Sequence, residues 1–253
     1  DLAICGEHAM ICDYRKFFSI YRIQNNRWST AKILDMPSMT ENVIIRDGLA
    51  FVANHTAGLT IVDVSKPDEA SIVANCNPKI DCDAIGIQEN NAILYAHWES
   101  RLVMVDISDP RNPSQIGAYQ HTPETFNQGE IAIEGGMAYC TAMTGLVIVD
   151  IRNPAEPKLV KDLNLKGPIT DVVAMDDYAF VAAGPRGGLV FDVHDPATPV
   201  RVGSFVSKEK LSAAQFDVKK MARNDPTSSD YIIYIANKKG DAMVLRFKPS
   251  TSE

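Results

Sequence analysis

Gly145-Leu146-Val147-Ile148-Val149-Asp150-Ile151 is the stretch on which the fold turns. An apolar, β-branched run ends in an Asp, and Pro154 follows four residues later. Three further segments repeat it: Gly58-Leu59-Thr60-Ile61-Val62-Asp63-Val64, Arg101-Leu102-Val103-Met104-Val105-Asp106-Ile107, and Gly188-Leu189-Val190-Phe191-Asp192-Val193. Asp63, Asp106, Asp150 and Asp192 recur every 42–44 residues, each with a Pro four places on (Pro67, Pro110, Pro154, Pro196). Three carry a second Pro seven places on (Pro113, Pro157, Pro199), so half of the 14 prolines share one register. Repetition at such a period outranks local propensity in deciding an architecture.

Working outward, a second shared element lies upstream of each motif: Leu49-Ala50-Phe51-Val52-Ala53, Ile93-Leu94-Tyr95-Ala96, Met137-Ala138-Tyr139-Cys140 and Tyr178-Ala179-Phe180-Val181-Ala182. Short β-branched and aromatic runs bounded by Gly, Pro, Asn and Asp predict strands. In the second unit the predicted strands are 43–46, 49–53, 59–65 and 71–75. Fainter copies at the two ends are anchored at Asp13 and Arg246, giving six units over a single domain of residues 1–253. Four strands per period in the forties predict an all-β fold, a β-propeller of four-stranded antiparallel blades. Six blades are expected, seven if residues 14–42 or 200–230 contain further strands. Within residues 206–230, Asn224-Asp225-Pro226-Thr227-Ser228-Ser229-Asp230 reads as an exposed loop between strands.

The register closely resembles that of the LVIVD-repeat propellers, whose name is nearly spelled by Leu146-Val147-Ile148-Val149-Asp150. The resemblance covers almost the whole chain. It implies a propeller and a secreted or cell-surface location, but no single activity, since one fold hosts many functions.

Composition narrows the partners. The 253 residues are 45% hydrophobic and 23% charged, which excludes disordered, collagen-like and coiled-coil classes. No run approaches the length of a transmembrane helix, and the net charge of −7 argues against nucleic acid or anionic lipid as a partner. The chain opens on Asp1 without an initiator Met, as after loss of a signal peptide or trimming from a longer protein. Cys5 with Cys12, and Cys76 with Cys82, are the pairs that could close a disulfide. The former needs a turn centred between His8 and Ala9. All five cysteines, Cys140 included, could equally be buried free thiols.

Each repeat Asp ends a third strand before a turn, where its carboxylate can accept backbone N–H bonds while the following Pro presets φ. These aspartates read as scaffold. The opposite face carries the links between units and the second-to-third-strand turns, which differ from unit to unit: Asn54-His55-Thr56, His97-Trp98-Glu99, Thr141-Ala142-Met143, Gly184-Pro185-Arg186 and Asn237-Lys238-Lys239. Variable loops on a regular scaffold are where binding resides. His8, His55, His97 and His121 map to this face and His194 to a scaffold turn.

Three site hypotheses follow. His55, His97, Trp98, Glu99 and Arg186 form a candidate ligand-binding surface, with Trp98 able to stack on sugars, cations or apolar side chains. Acidic residues recur where innermost strands start, at Glu41, Asp83, Glu130 and Asp171, with Asp217 nearby. Such a carboxylate ring could hold a hard cation such as Ca²⁺, or merely cap turns facing water. Finally, His97, His121 and Glu130, with His55, could serve acid–base chemistry or hold a transition metal. No nucleophile elbow, P-loop, Rossmann fingerprint or EF-hand loop occurs. The reading is therefore a non-catalytic binding module, needing no cofactor, that offers its variable-loop face to a protein or surface ligand. It would act as a monomer or as a domain of a larger protein. The alternative is a hydrolase or lyase using His and carboxylate residues in the channel mouth, with or without a metal.

Overall fold

In the computed structural model, residues 1–122, 126–184, 186–205, 215–220, 231–236 and 242–249 are described. They form six antiparallel sheets, each with strands adjacent in chain order. The first is β1 (Leu2–Cys5), β2 (His8–Cys12), β3 (Phe17–Gln24) and β4 (Arg27–Asp35). The second is β5 (Asn42–Arg46), β6 (Leu49–Ala53), β7 (Leu59–Asp63) and β8 (Ser71–Cys76), close to the strands the repeat predicts. The third is β9 (Ala84–Gln88), β10 (Asn91–Ala96), β11 (Arg101–Asp106) and β12 (Ser114–Gln120). The fourth is β13 (Phe126–Glu134), β14 (Met137–Ala142), β15 (Gly145–Asp150) and β16 (Lys158–Asn164). The fifth is β17 (Asp171–Met175), β18 (Tyr178–Ala182), β19 (Gly188–Asp192) and β20 (Val200–Phe205). The sixth is β21 (Gln215–Lys220), β22 (Tyr231–Ala236) and β23 (Ala242–Phe247). These are propeller blades, and the fold is all-β. No helix among the described residues is long and apolar enough to cross a membrane.

The chain divides into two compact units. Asp1–Phe126 with Ile151–Pro157 makes one, built on the first three sheets. Asn127–Asp150 with Lys158–Glu253 makes the other, built on the last three.

Within the first unit the central strands bury both faces. Ala50, Val52 and Val62 pack with Met10, Phe18 and Ile20 of the first sheet. Phe51, Leu59 and Ile61 pack the other way, on Leu94, Val103 and Val105 of the third. That two-sided burial is why these strands read as nearly continuous apolar runs, and each large side chain so buried stabilises the fold by about 1.5–3 kcal/mol. In the second unit Tyr139, Leu146 and Ile148 pack on Val181 and Phe191, and Phe180 and Val190 on Tyr231 and Ile233.

The repeat aspartates do the turn work expected of them. Asp63 Oδ1 accepts the Ser65 N–H at 2.9 Å and the Ser65 hydroxyl at 2.7 Å. Asp106 and Asp192 accept the N–H groups of Ser108 and His194 at 2.8 and 3.0 Å. These bonds hold the Asp63 and Asp106 carboxyls below the ordinary carboxylate value.

A second repeating device is visible only in the structure. In five sheets the fourth strand carries one extra residue opposite the third: Ala31, Val73, Ile116, Val160 and Val202. These are β-bulges, which bend a strand and increase its twist.

The first sheet differs from the sequence reading in two respects. Asp13 does not close a third strand; it follows β2, the second. Arg22, paired with His8, occupies the place that Asp63, paired with Leu49, takes in the next sheet. The first sheet replaces the Asp–Pro turn by a two-residue turn at Asn25 and Asn26, whose φ values of 51° and 58° suit a tight hairpin, and this hid β3 and β4. Residues 14–42 thus complete the first sheet rather than adding a seventh. Second, His8 sits after the β1–β2 turn and so lies at the end of the sheet away from His55. β21 precedes the segment 224–230 expected to be a loop, and that segment falls outside the described residues. Arg246 is on β23, a third strand as expected.

All five cysteines are free thiols. Cys5 pairs with His8, so the turn is at Gly6-Glu7 and Cys5 does not oppose Cys12. Burial pushes the thiols of Cys12 (to about 12), Cys76, Cys82 and Cys140 up, which keeps them protonated and unreactive.

Candidate functional site

Equivalent backbone positions place two carboxylates at one end of the first unit. Glu41 donates its N–H to Ala53 O at 2.9 Å, and Asp83 donates to Tyr95 O at 2.9 Å, each just before an innermost strand. In the second unit that bond is made by Thr170, to Ala182 O at 3.0 Å. Asp171 pairs with Ala182 as Asn42 pairs with Ala53, so it stands one residue out of register with Glu41 and Asp83. Its buried carboxylate accepts the adjacent Val172 N–H at 2.7 Å. Glu130 is half-buried on β13, also in the second unit. The side chain of Asp217 lies outside the described residues.

His55 joins the two carboxylates. It takes a left-handed φ of 38° between β6 and β7. Its carbonyl accepts the N–H groups of Gly58 and Cys82, both at 3.0 Å, which ties its loop to the link carrying Asp83. Gly58 is required there: φ is +73°, and a Cβ would meet Cys76 O at 2.6 Å. One potential ligand atom each from Glu41, His55 and Asp83 fall within 4.8 Å of one another. Burial, and next the Asp83 carboxylate, push Glu41 above the ordinary carboxylate value, with His55 and His97 acting against them.

The loop is anchored by a polar network that the sequence reading did not single out. Asn54, fully buried, accepts the Ser38 N–H at 3.3 Å and the Thr60 hydroxyl at 3.0 Å. Its amide donates to Ser38 O at 2.7 Å and Met39 O at 2.9 Å. Asn75 adds donations to Ala57 O, Leu59 O and the Thr60 hydroxyl at 3.0, 2.9 and 3.0 Å.

His97 flanks the carboxylates from the β10–β11 turn. Its N–H donates to Asp83 Oδ2 at 3.0 Å, and its Nδ1 lies 2.6 Å from the same oxygen. That second contact falls outside hydrogen-bond angles, so Nδ1 has no hydrogen-bond partner although the side chain is only 8% exposed. Trp98 is 72% exposed, with its ring 4.6 Å from that of His97. Glu99 Oε1 accepts the Asp81 N–H at 3.2 Å. His121 is 1% exposed, its Nδ1 3.0 Å from the Tyr119 hydroxyl.

His55, His97, Trp98 and Glu99 thus share one end of the first unit. Arg186 belongs to the second, where its guanidinium donates to Leu165 O and, at 2.8 Å, to Pro168 O. It straps a loop. Pro185 and the Asn237-Lys238-Lys239 turn fall outside the described residues.

With the geometry established, the relatives can be placed. The LVIVD repeat pattern matches residues 37–77, 91–121, 128–164 and 166–207, more than half of the chain. The chain belongs to the LVIVD repeat family. No curated protein sequence matches it. A functionally unknown protein from Desulfotomaculum acetoxidans is similar in structure, with a TM-score of 0.70 at 14% identity over 99% of this chain and 89% of that one. The Neurospora crassa Pan2 WD40 domain has a TM-score of 0.69 at 11% identity, over 100% and 76% of the two chains. The WD40 domain of Toxoplasma gondii coronin has a TM-score of 0.69 at 10% identity, over 98% and 68%. At these identities the likeness extends to the fold alone, which for this LVIVD repeat protein is the β-propeller.

Proposed function

We propose that this LVIVD repeat protein is a non-catalytic binding module that presents its variable-loop face to a protein or surface ligand. The carrying observation is Trp98, 72% exposed at a turn tip, with its ring tilted against that of a buried His97. A large aromatic that stays in water while its support is fixed offers contact area at low entropic cost, the property of an interface anchor. The turns around it differ between blades, whereas the Asp turns at the other end repeat. The reading includes a secreted or cell-surface location, and a monomer or one domain of a longer protein as the functional form.

The test compares wild type with Trp98→Ala as immobilised bait for envelope and secreted material of the source cells. Because the indole is exposed, the variant should melt within about 2 °C of wild type, yet lose its specific partner. The same partner retained at the same affinity would overturn the reading. The convergence of Glu41, His55 and Asp83 favours one rival, a hydrolase or lyase working through His and carboxylate groups. In that case a hydrolytic or eliminating activity would disappear in Glu41→Gln and persist in Trp98→Ala.

A further inference from the structure

We propose that Glu41, His55 and Asp83 form a site for one divalent transition-metal ion of the zinc type, with His97 as the residue that positions the Asp83 carboxylate. This does not depend on the binding-module reading. It also differs from a Ca²⁺-holding ring of four carboxylates, because the structure groups two of those carboxylates with an imidazole.

The donor set supports the choice of ion. Two carboxylates and a neutral imidazole carry charge −2, balanced by a divalent cation, and imidazole favours transition ions over Ca²⁺ or Mg²⁺. Three atoms at most 4.8 Å apart share a point about 2.8 Å from each. Zinc–oxygen and zinc–nitrogen bonds are about 2.0–2.2 Å, so side-chain rotation of roughly 0.7 Å per ligand closes the site. The backbone is already fixed: His55 by its two carbonyl bonds, Glu41 and Asp83 by their strand-starting N–H bonds. Among the described residues no Lys or Arg forms an ion pair with Glu41 or Asp83.

His97 supplies a second, independent observation. Its side chain is 8% exposed, its Nδ1 lacks a hydrogen bond, and that atom lies 2.6 Å from Asp83 Oδ2. The Nδ1 faces the Asp83 carboxylate without the angle of a hydrogen bond, so a small shift of that carboxylate would satisfy it. With an ion drawing the carboxylate toward Glu41 and His55, the Nδ1–H would relax to a normal bond. Ligating carboxylates are held by such hydrogen bonds.

The experiment is calorimetric titration of the purified chain with ZnCl₂ and, separately, CaCl₂, with thermal melting in EDTA and in each salt. One Zn²⁺ per chain is expected, bound at least tenfold more tightly than Ca²⁺ and raising the melting temperature. Asp83→Asn and His55→Asn should each weaken zinc at least tenfold; Asn is used at position 55 because it tolerates left-handed φ. Glu130→Gln should leave zinc binding unchanged. His97→Gln should weaken zinc about 10–100-fold while metal-free melting stays within a few degrees. The proposal is overturned by no saturable zinc binding, by Ca²⁺ binding more tightly than Zn²⁺, by His55→Asn matching wild type, or by Glu130→Gln weakening zinc as much as Asp83→Asn.

Discussion

Removing the Asn54 amide tests whether the loop that carries His55 is held by polar bonds rather than by apolar packing. The side chain is fully buried and makes four hydrogen bonds, to Ser38 N–H, Ser38 O, Met39 O and the Thr60 hydroxyl. At about 1 kcal/mol net per bond, Asn54→Ala should cost roughly 4 kcal/mol, with the stranded groups of residues 38 and 39 holding the figure up. For a chain of this size that lowers the melting temperature by roughly 8–16 °C. Asn54→Asp changes one atom and should lose nearly as much, because an acceptor then faces the Ser38 and Met39 carbonyls. Guanidinium titration of wild type and both variants, followed by intrinsic fluorescence, gives the differences from midpoints at constant slope. A loss below about 1 kcal/mol in Asn54→Ala would refute the reasoning. So would an Asn54→Asp variant as stable as wild type.

Two further outcomes follow from the geometry. The carboxyls of Asp63, Asp106, Asp109 and Asp195 are lowered chiefly by the hydrogen bonds they accept. A depressed folded-state value means their contribution is fully present above the unfolded Asp value of about 3.9 and is lost as pH falls through the folded one. Melting temperature should therefore drop below about pH 4, more steeply than in an Asp63→Asn, Asp106→Asn double variant; equal slopes would dismiss the Asp turns as the cause. Arg186→Lys cannot reach Leu165 O and Pro168 O together as the planar guanidinium does. Limited proteolysis should then cut near residues 165–168 sooner than in wild type, and an unchanged cleavage rate would show the strap to be dispensable.

The parts of this fold legible in the sequence are those where chemistry forces a residue type. The third-to-fourth-strand turns demand an acceptor and a fixed φ, so Asp and Pro recur and the units could be counted. Central strands are buried on both faces, so their apolar runs stood out. The first sheet was read one strand out of phase because its hairpin closes on Asn25-Asn26 and leaves no Asp–Pro mark. Glu41 and Asp83 were visible as recurring acids at strand starts. The slip of Asp171 was not, since one residue moves a side chain to the other face of a strand without altering composition. The approach of His55 and His97 to those carboxylates is made by links more than a dozen residues apart. Arg186 looked like a ligand-facing cation because nothing local reveals the two carbonyls it satisfies.

The unpaired residue in each fourth strand has a consequence for how such chains coexist. Fourth strands lie at the margin of their sheets and carry apolar side chains toward water, among them Ile33, Ile72, Ile116, Leu159, Val200 and Val202. A long, flat, apolar margin is a template on which a strand from another molecule can polymerise. Ala31, Val73, Ile116, Val160 and Val202 each interrupt the ladder, so no fourth strand offers more than four consecutive regular partners before the register fails. Because the interruption sits inside the repeating unit, any duplication that lengthens the array copies the protection together with the hazard.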